Sequence, residues 1–117
     1  MQKIYFLQTC STCQRIMKEL DLSGFEQQEI KTEPITAVQL EEMKELAGSY
    51  AALFSRRAMK YRQLGLHEQT LTENDYRDWI LKEYTFLKRP VIIIDNDIFI
   101  GSSKKVVAAA HEKLAGR

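Results

Sequence analysis

The sequence contains few of the residues that build metal sites or disulfide frameworks, with only two cysteines and two histidines among 117 residues. A zinc site built on one cysteine pair needs a second ligand pair, and His67 and His111 do not have the spacing of metal ligands. The formal net charge is only +1, which provides no electrostatic basis for binding nucleic acid or a membrane surface. No apolar run approaches the roughly 20 residues of a membrane-spanning helix, and the N-terminus lacks the features of a signal peptide. These absences predict a cytoplasmic protein, in which thiols are kept reduced.

Hydrophobic residues make up 44% of the chain, which is typical of a globular protein, and 117 residues is the size of one domain. Strand-like and helix-like patterns of apolar residues follow one another, which predicts an α/β fold. The predicted strands are 4–7, 25–30, 91–94 and 98–100, and the predicted helices begin near Cys13, after Thr36, at 51 and 58, after Thr72 and after 101–103.

The two cysteines form a C-x-x-C pair, Cys10 and Cys13, at the point where the first predicted strand gives way to a helix. A helix N-terminus carries unsatisfied N–H groups and a partial positive charge, and both stabilise a thiolate. The first cysteine of such a pair is usually exposed and the second is shielded one turn further on. Cys10 is therefore the predicted nucleophile, and Cys13 is the predicted thiol that resolves a mixed disulfide. The alternatives are two small buried residues that never react, and half of a metal site.

Arginine residues near the second half of the chain are candidates for anion binding, because the guanidinium group offers a planar fork of donors to an oxyanion or carboxylate. Arg89 precedes Pro90 at the entrance to the strongest predicted strand, and Arg57 lies in the middle segment. For the other charged candidates, a solvated surface position is the favoured interpretation: Arg56, His67, His111, Lys104 and Lys105.

Five blocks of sequence occur in a characteristic order: 9–13, 53–57, 61–66, 87–94 and 98–101. Together they resemble the arsenate reductase (ArsC-like) family, which includes the Spx-type regulators, and the resemblance covers essentially the whole chain. It implies a thioredoxin-like core, with a mixed four-stranded sheet and flanking helices, and a helical insertion. In this single domain of residues 1–117, the core is expected at about 1–34 and 85–117 and the insertion at about 35–84.

The resemblance also implies roles for individual residues. In the family reductases the first cysteine attacks arsenate and three arginines bind the oxyanion, which implies that Cys10 is the nucleophile and that Arg57 and Arg89 bind the anion. It further implies a cis Arg89–Pro90 peptide bond, with Pro90 beside Cys10. Two features depart from the reductases that are coupled to glutaredoxin: the third arginine is replaced by serines at 102–103, and a second cysteine is present at Cys13.

The function predicted from these residues is that of a thiol-dependent oxidoreductase, in which Cys10 attacks an oxyanion or a disulfide and Cys13 resolves the intermediate. No metal or organic cofactor is expected, and the resemblance implies an external thiol reductant, either glutathione with glutaredoxin or thioredoxin. The alternative is an Spx-type regulator, in which a redox-active disulfide controls binding to the C-terminal domain of the RNA polymerase α subunit. Gly48 is then the candidate glycine for docking this partner.

Overall fold

The computed structural model describes residues 1–116 and contains a four-stranded sheet with the strand order β2-β1-β3-β4. The strands are β1 (Gln2–Phe6), β2 (Glu26–Glu29), β3 (Val91–Ile94) and β4 (Asp97–Ile100). β1 runs parallel to β2 and antiparallel to β3, and β3 and β4 form an antiparallel hairpin. The sheet is therefore mixed, as predicted, and the weakly patterned β2 is an edge strand.

The two central strands, β1 and β3, are the most buried, because both of their faces are covered. All four residues of β3 are buried, and so are the last four residues of β1. The first strand begins at Gln2 and not at the predicted Ile4, because the ladder continues until Gln2 pairs with Ile94. The Gln2 side chain also donates a hydrogen bond of 2.6 Å to Asp95 in the hairpin turn. Pairing with a distant strand thus extends an element that local hydrophobicity alone would shorten.

Helix starts follow local capping chemistry. Thr36 and Thr72 are N-caps with complete capping boxes, which confirms both predicted starts. Gly48 ends the second helix in the left-handed conformation, at φ +93°, which a glycine adopts without steric cost. The first helix begins at Ser11, earlier than predicted, so Cys13 lies within its first turn. The helices are α1 (Ser11–Glu19), α2 (Ala37–Ala47), α3 (Met59–Gln63), α4 (Glu73–Lys82) and α5 (Lys104–Ala115), with 3-10 turns at Ala51–Leu53, Leu66–Glu68 and Tyr84–Phe86.

The chain divides into two compact units. The first comprises Met1–Glu33 and the described residues from Arg89 onward, and it holds the whole sheet with α1 and α5. Its core is a cluster of apolar side chains from these elements, namely Ile4, Phe6, Cys13, Ile16, Leu20, Phe25, Ile92, Ile94 and Ala110.

The second unit comprises Pro34–Lys88, close to the segment predicted as a helical insertion, and holds α2, α3 and α4. The ring of Phe54 is stacked on Phe86 at 5.0 Å and also contacts Tyr61 and Tyr76. Phe54 additionally forms an isolated antiparallel bridge with Leu87. This aromatic cluster gives the unit its own core. Within residues 1–116, none of the helices has the length and apolar character needed to cross a membrane.

Candidate active site

Cys10 occupies the N-cap position of α1, directly after the loop that leaves β1. Its backbone is extended, at φ −89° and ψ 110°, and its N–H donates to the carbonyl oxygen of Leu7 at 3.1 Å. The Cys10 carbonyl oxygen in turn accepts a hydrogen bond from the N–H of Gln14 in the first turn of the helix. The thiol therefore lies at the end of the helix where N–H groups are free to donate, and it is partly exposed.

The pKa of the Cys10 thiol is lowered. Partial burial raises this pKa, but hydrogen bonds to the sulfur outweigh burial. The donors that stabilise the thiolate are the backbone N–H and the thiol of Cys13 and the backbone N–H of Thr12, and the positive charge of Arg89 acts in the same direction. Since the thiolate is the reactive form of cysteine, these contacts favour a nucleophile at position 10.

The Cys13 thiol has the opposite environment. Its side chain is completely buried in the apolar cluster of the first unit, and burial raises its pKa to about 11. The neighbouring Cys10 raises this pKa further, because Cys13 donates a hydrogen bond to the Cys10 sulfur and loses that bond when it ionises. The backbone N–H of Leu7 and the charge of Arg89 lower the pKa without outweighing these effects. The two thiols are therefore close together and inequivalent, and both are reduced.

Arg89 is half-buried and belongs to the same unit as the cysteines, where its charge acts on both sulfurs. The Arg89–Pro90 peptide bond is cis, the isomer that the family resemblance implies. Pro90 is buried directly before β3, and its carbonyl oxygen accepts a hydrogen bond of 2.9 Å from the N–H of Gly101. That Pro90 lies against Cys10 stays a prediction.

The other candidate residues lie in places that do not by themselves assign a role. Arg57 is exposed in the loop before α3, in the second unit, and its contact with a bound anion stays a prediction. Its neighbour Arg56 donates to the hydroxyl group of Tyr76 at 3.0 Å and lies over the same ring. His67 and His111 are both exposed. Among the residues that the structure describes, no group of three or more potential metal ligands lies close enough together to hold an ion.

One contact of the cysteine loop was missed by the sequence analysis. The side chain of Glu29, the last residue of β2, accepts a hydrogen bond of 2.7 Å from the backbone N–H of Gln8. The carbonyl oxygen of Gln8 accepts a second bond, at 3.1 Å, from the side chain of Gln14. No local sequence signal marks this contact, because it depends on β1 and β2 being parallel neighbours whose carboxyl ends meet at one edge of the sheet.

Comparison with protein families and with solved structures finds matches over most of the chain. A model of the ArsC family matches residues 5–110. A solved structure from Yersinia pestis is 18% identical with a TM-score of 0.78, and the match covers 93% of this chain and 99% of that one. An arsenate reductase from Vibrio cholerae is 17% identical (TM-score 0.72; 93% and 98% covered), and the protein SACOL0876 from Staphylococcus aureus is 25% identical (TM-score 0.75; 93% and 97% covered).

These structural matches confirm the predicted fold class, a mixed four-stranded sheet with flanking helices of the thioredoxin-like type. Among curated proteins, no sequence matches this chain. The family model spans both cysteines, Arg57 and the Arg89–Pro90 pair, and so includes every residue of the predicted site. The chain belongs to the ArsC family.

Proposed function

We propose that this protein is a thiol-dependent oxidoreductase in which Cys10 is the nucleophile and Cys13 the resolving thiol. The observation that carries the proposal is the placement of two neighbouring thiols: Cys10 is partly exposed at the N-cap of α1, where its pKa is lowered, and Cys13 is fully buried, which raises its pKa to about 11. One thiolate is thereby available to attack, and the other thiol keeps its proton until an intermediate has formed. Membership of the ArsC family supports the same class of chemistry.

With a disulfide substrate, the Cys10 thiolate attacks one sulfur, a mixed disulfide forms, and the second sulfur of the substrate leaves as a thiolate. With an oxyanion such as arsenate, the thiolate bonds to the central atom and one oxygen leaves as water after protonation. In both cases the product of the first step is a covalent adduct on Cys10. The half-buried Arg89 supplies positive charge beside this sulfur, which supports binding of a negatively charged substrate.

The second step depends on how the adduct on Cys10 changes the pKa of Cys13. Burial holds the pKa of Cys13 high, and part of the remaining increase comes from the neighbouring Cys10. Once Cys10 carries the adduct it is no longer an anion, so this part of the barrier to ionisation is removed. Cys13 then loses its proton and attacks the Cys10 sulfur, which releases either the second substrate thiolate or, with two electrons transferred, the reduced oxyanion. The product on the protein is a Cys10–Cys13 disulfide.

The cycle closes when an external thiol system reduces this disulfide, for which we propose glutathione with glutaredoxin or thioredoxin. We further propose that Arg57 joins Arg89 in binding an oxyanion. Turnover is tested with arsenate and with a small disulfide, each supplied with both reductants. The Cys10→Ser variant should lose all turnover, whereas Cys13→Ser should accumulate the adduct on Cys10, seen as a mass increase of the intact protein. Ser11→Ala is the matched control at an exposed neighbour of the pair.

A redox-switched regulator is the second candidate, and the position of Cys13 is the observation that supports it. Its side chain packs in the cluster shared by the sheet, α1 and α5, so a disulfide at this position would act on a buried contact. Binding of the C-terminal domain of the RNA polymerase α subunit is measured with reduced and oxidised protein. Redox-dependent binding without turnover on either substrate would favour the switch, and turnover that depends on Cys10 would favour the enzyme.

A further inference from the structure

The loop between β1 and α1 presents Cys10, yet its central residues are polar and exposed. Gln8 and Thr9 both lie on the surface, so burial of their side chains contributes little to the position of the loop. Hydrogen bonds therefore help to hold these central residues. One is internal, from the N–H of Cys10 to the carbonyl oxygen of Leu7, and two others reach Gln8 from outside the loop.

Glu29 provides the stronger of these two outside contacts. One carboxylate oxygen accepts from the N–H of Gln8 at 2.7 Å. The other oxygen accepts from the N–H groups of Lys31 and Thr32, at 2.9 and 2.8 Å, and from the hydroxyl group of Thr32 at 3.1 Å. A single side chain thus joins the cysteine loop to the turn that follows β2. Hydrogen bonds to an ionised acceptor are stronger than those between neutral groups.

Only a carboxylate fits this arrangement, because every partner is a donor and both oxygens are used. A glutamine of the same shape has one carbonyl oxygen, which can serve either Gln8 or the turn but not both. The same donors keep the carboxylate ionised. Burial raises the pKa of Glu29, but the hydrogen bonds from Gln8, Thr32 and Lys31 outweigh it, and the pKa is lowered.

The carbonyl side of the same residue, Gln8, is held by α1. The side-chain amide of Gln14 donates to the carbonyl oxygen of Gln8 at 3.1 Å, and the N–H of Gln14 donates to the carbonyl oxygen of Cys10. Gln8 is therefore held on its N–H side by β2 and on its carbonyl side by the helix whose N-terminus carries Cys10. Displacing Gln8 would move the loop relative to the N–H groups of Thr12 and Cys13 that stabilise the Cys10 thiolate.

We infer that Glu29 is a positioning residue for Cys10, whose carboxylate holds the β1–α1 loop so that the sulfur receives the hydrogen bonds of the α1 N-terminus. This inference rests on the proposed role of Cys10 as the nucleophile. The positioning role and the charge of Glu29 predict opposite changes in the pKa of Cys10 when Glu29 is replaced. Removing a negative charge near a thiolate stabilises the thiolate and lowers its pKa, whereas releasing the loop weakens hydrogen bonds to the sulfur and raises its pKa.

The test compares the alkylation rate of Cys10 as a function of pH in the reduced wild-type protein and in Glu29→Gln. Glu26→Gln is the matched control, since it removes the same charge from the same strand but breaks an ion pair with Lys3 and no contact of the cysteine loop. In Glu29→Gln we expect a higher pKa for Cys10 and an alkylation rate at pH 7 that is lower by about 2- to 10-fold, the factor expected for one hydrogen bond of ordinary net strength. Glu26→Gln should behave as wild type.

The Gln14→Met variant provides a second test that leaves Glu29 unchanged. It keeps the length of the side chain and removes the donor to Gln8, so it should raise the pKa of Cys10 in the same direction. Circular dichroism establishes that each variant is folded. Should Glu29→Gln not fold, Gln14→Met still tests the inference, because an unchanged pKa of Cys10 in this variant would overturn it.

The outcomes separate this inference from the proposed function. If Cys10 is alkylated rapidly in the wild type and at the same rate or faster in Glu29→Gln, the positioning role is wrong, and the assignment of Cys10 as the nucleophile is unaffected. If Cys10 in the wild type is alkylated no faster than a free cysteine, the assignment of Cys10 as the nucleophile is wrong, and so is the positioning role of Glu29. Slow alkylation of Cys10 in both Glu29→Gln and Glu26→Gln would also overturn the inference, because the loss would then follow the integrity of β2 and not the contact with Gln8.

Discussion

Cys10 and Cys13 should differ greatly in their rate of alkylation. The difference is measured by adding iodoacetamide to the reduced native protein. With a pKa of about 11, Cys13 is ionised at pH 7 to a fraction on the order of 10⁻⁴, whereas a free cysteine with a pKa of about 8.5 is ionised to about 3%. The thiolate population of Cys13 is therefore roughly 300-fold below that of a free cysteine, by the same relation.

Part of this difference is offset, because a more basic thiolate is intrinsically more nucleophilic. With a Brønsted coefficient of about 0.4–0.5, the higher pKa of Cys13 increases its intrinsic reactivity by roughly tenfold. A net factor of about 30 below a free cysteine remains from these two effects. Complete burial of the side chain slows the reaction further. Cys10 should react faster than a free cysteine, because its pKa is lowered.

Mass spectrometry measures the two rates in one sample. Lys3 and Arg15 flank the pair, so trypsin releases both cysteines in one peptide, and fragmentation between Cys10 and Cys13 localises the label. The control is the same labelling in denaturant, where both thiols should react alike. Equal native rates, or faster labelling of Cys13, would refute the assignment of the nucleophile and of the resolving thiol.

Two further predictions concern the same site. Replacing Arg89 with leucine should raise the pKa of Cys10 and slow its labelling at pH 7, and Arg89→Lys should restore part of the rate. The control is Arg15→Leu, at an exposed cation paired with Glu19, which should leave the labelling rate of Cys10 unchanged. Alkaline pH should lower the free energy of unfolding between about pH 8.5 and 11, because the unfolded chain releases the Cys13 proton near 8.5 while the folded protein retains it to about 11. Urea denaturation across this range should show this loss in wild type and a smaller one in Cys13→Ala; identical slopes would contradict it.

Local chemistry explains why several elements could be predicted from the sequence. Thr36 and Thr72 are followed three residues later by Gln39 and Asp75, and both pairs form reciprocal capping hydrogen bonds that involve only neighbouring residues. The run of apolar residues in β3 similarly predicts a strand buried on both faces. Such signals are contained in the local sequence, and the folded chain retains them.

Elements that depend on distant contacts were predicted less accurately. The start of β1 depends on pairing with Ile94. The first helix begins at Ser11, two residues before the predicted start near Cys13. The role of Glu29 could not be predicted, because its partner Gln8 is 21 positions away and the contact requires β1 and β2 to be parallel neighbours. A carboxylate in an edge strand is ordinarily a solvent-exposed residue, and nothing in the local pattern distinguishes this one.

The sequence by itself determined the order of strands and helices, the C-x-x-C pair at a helix start and the family to which the chain belongs, since each of these is written in spacing and order along the chain. Only the tertiary structure decided how the two cysteines differ. The pKa of a thiol depends on burial, on the donors aimed at the sulfur and on nearby charge, and these are supplied here by the apolar cluster around Cys13, the first turn of α1 and Arg89. Folding brings these distant groups to one point, and so lowers the pKa of one cysteine and raises that of its neighbour.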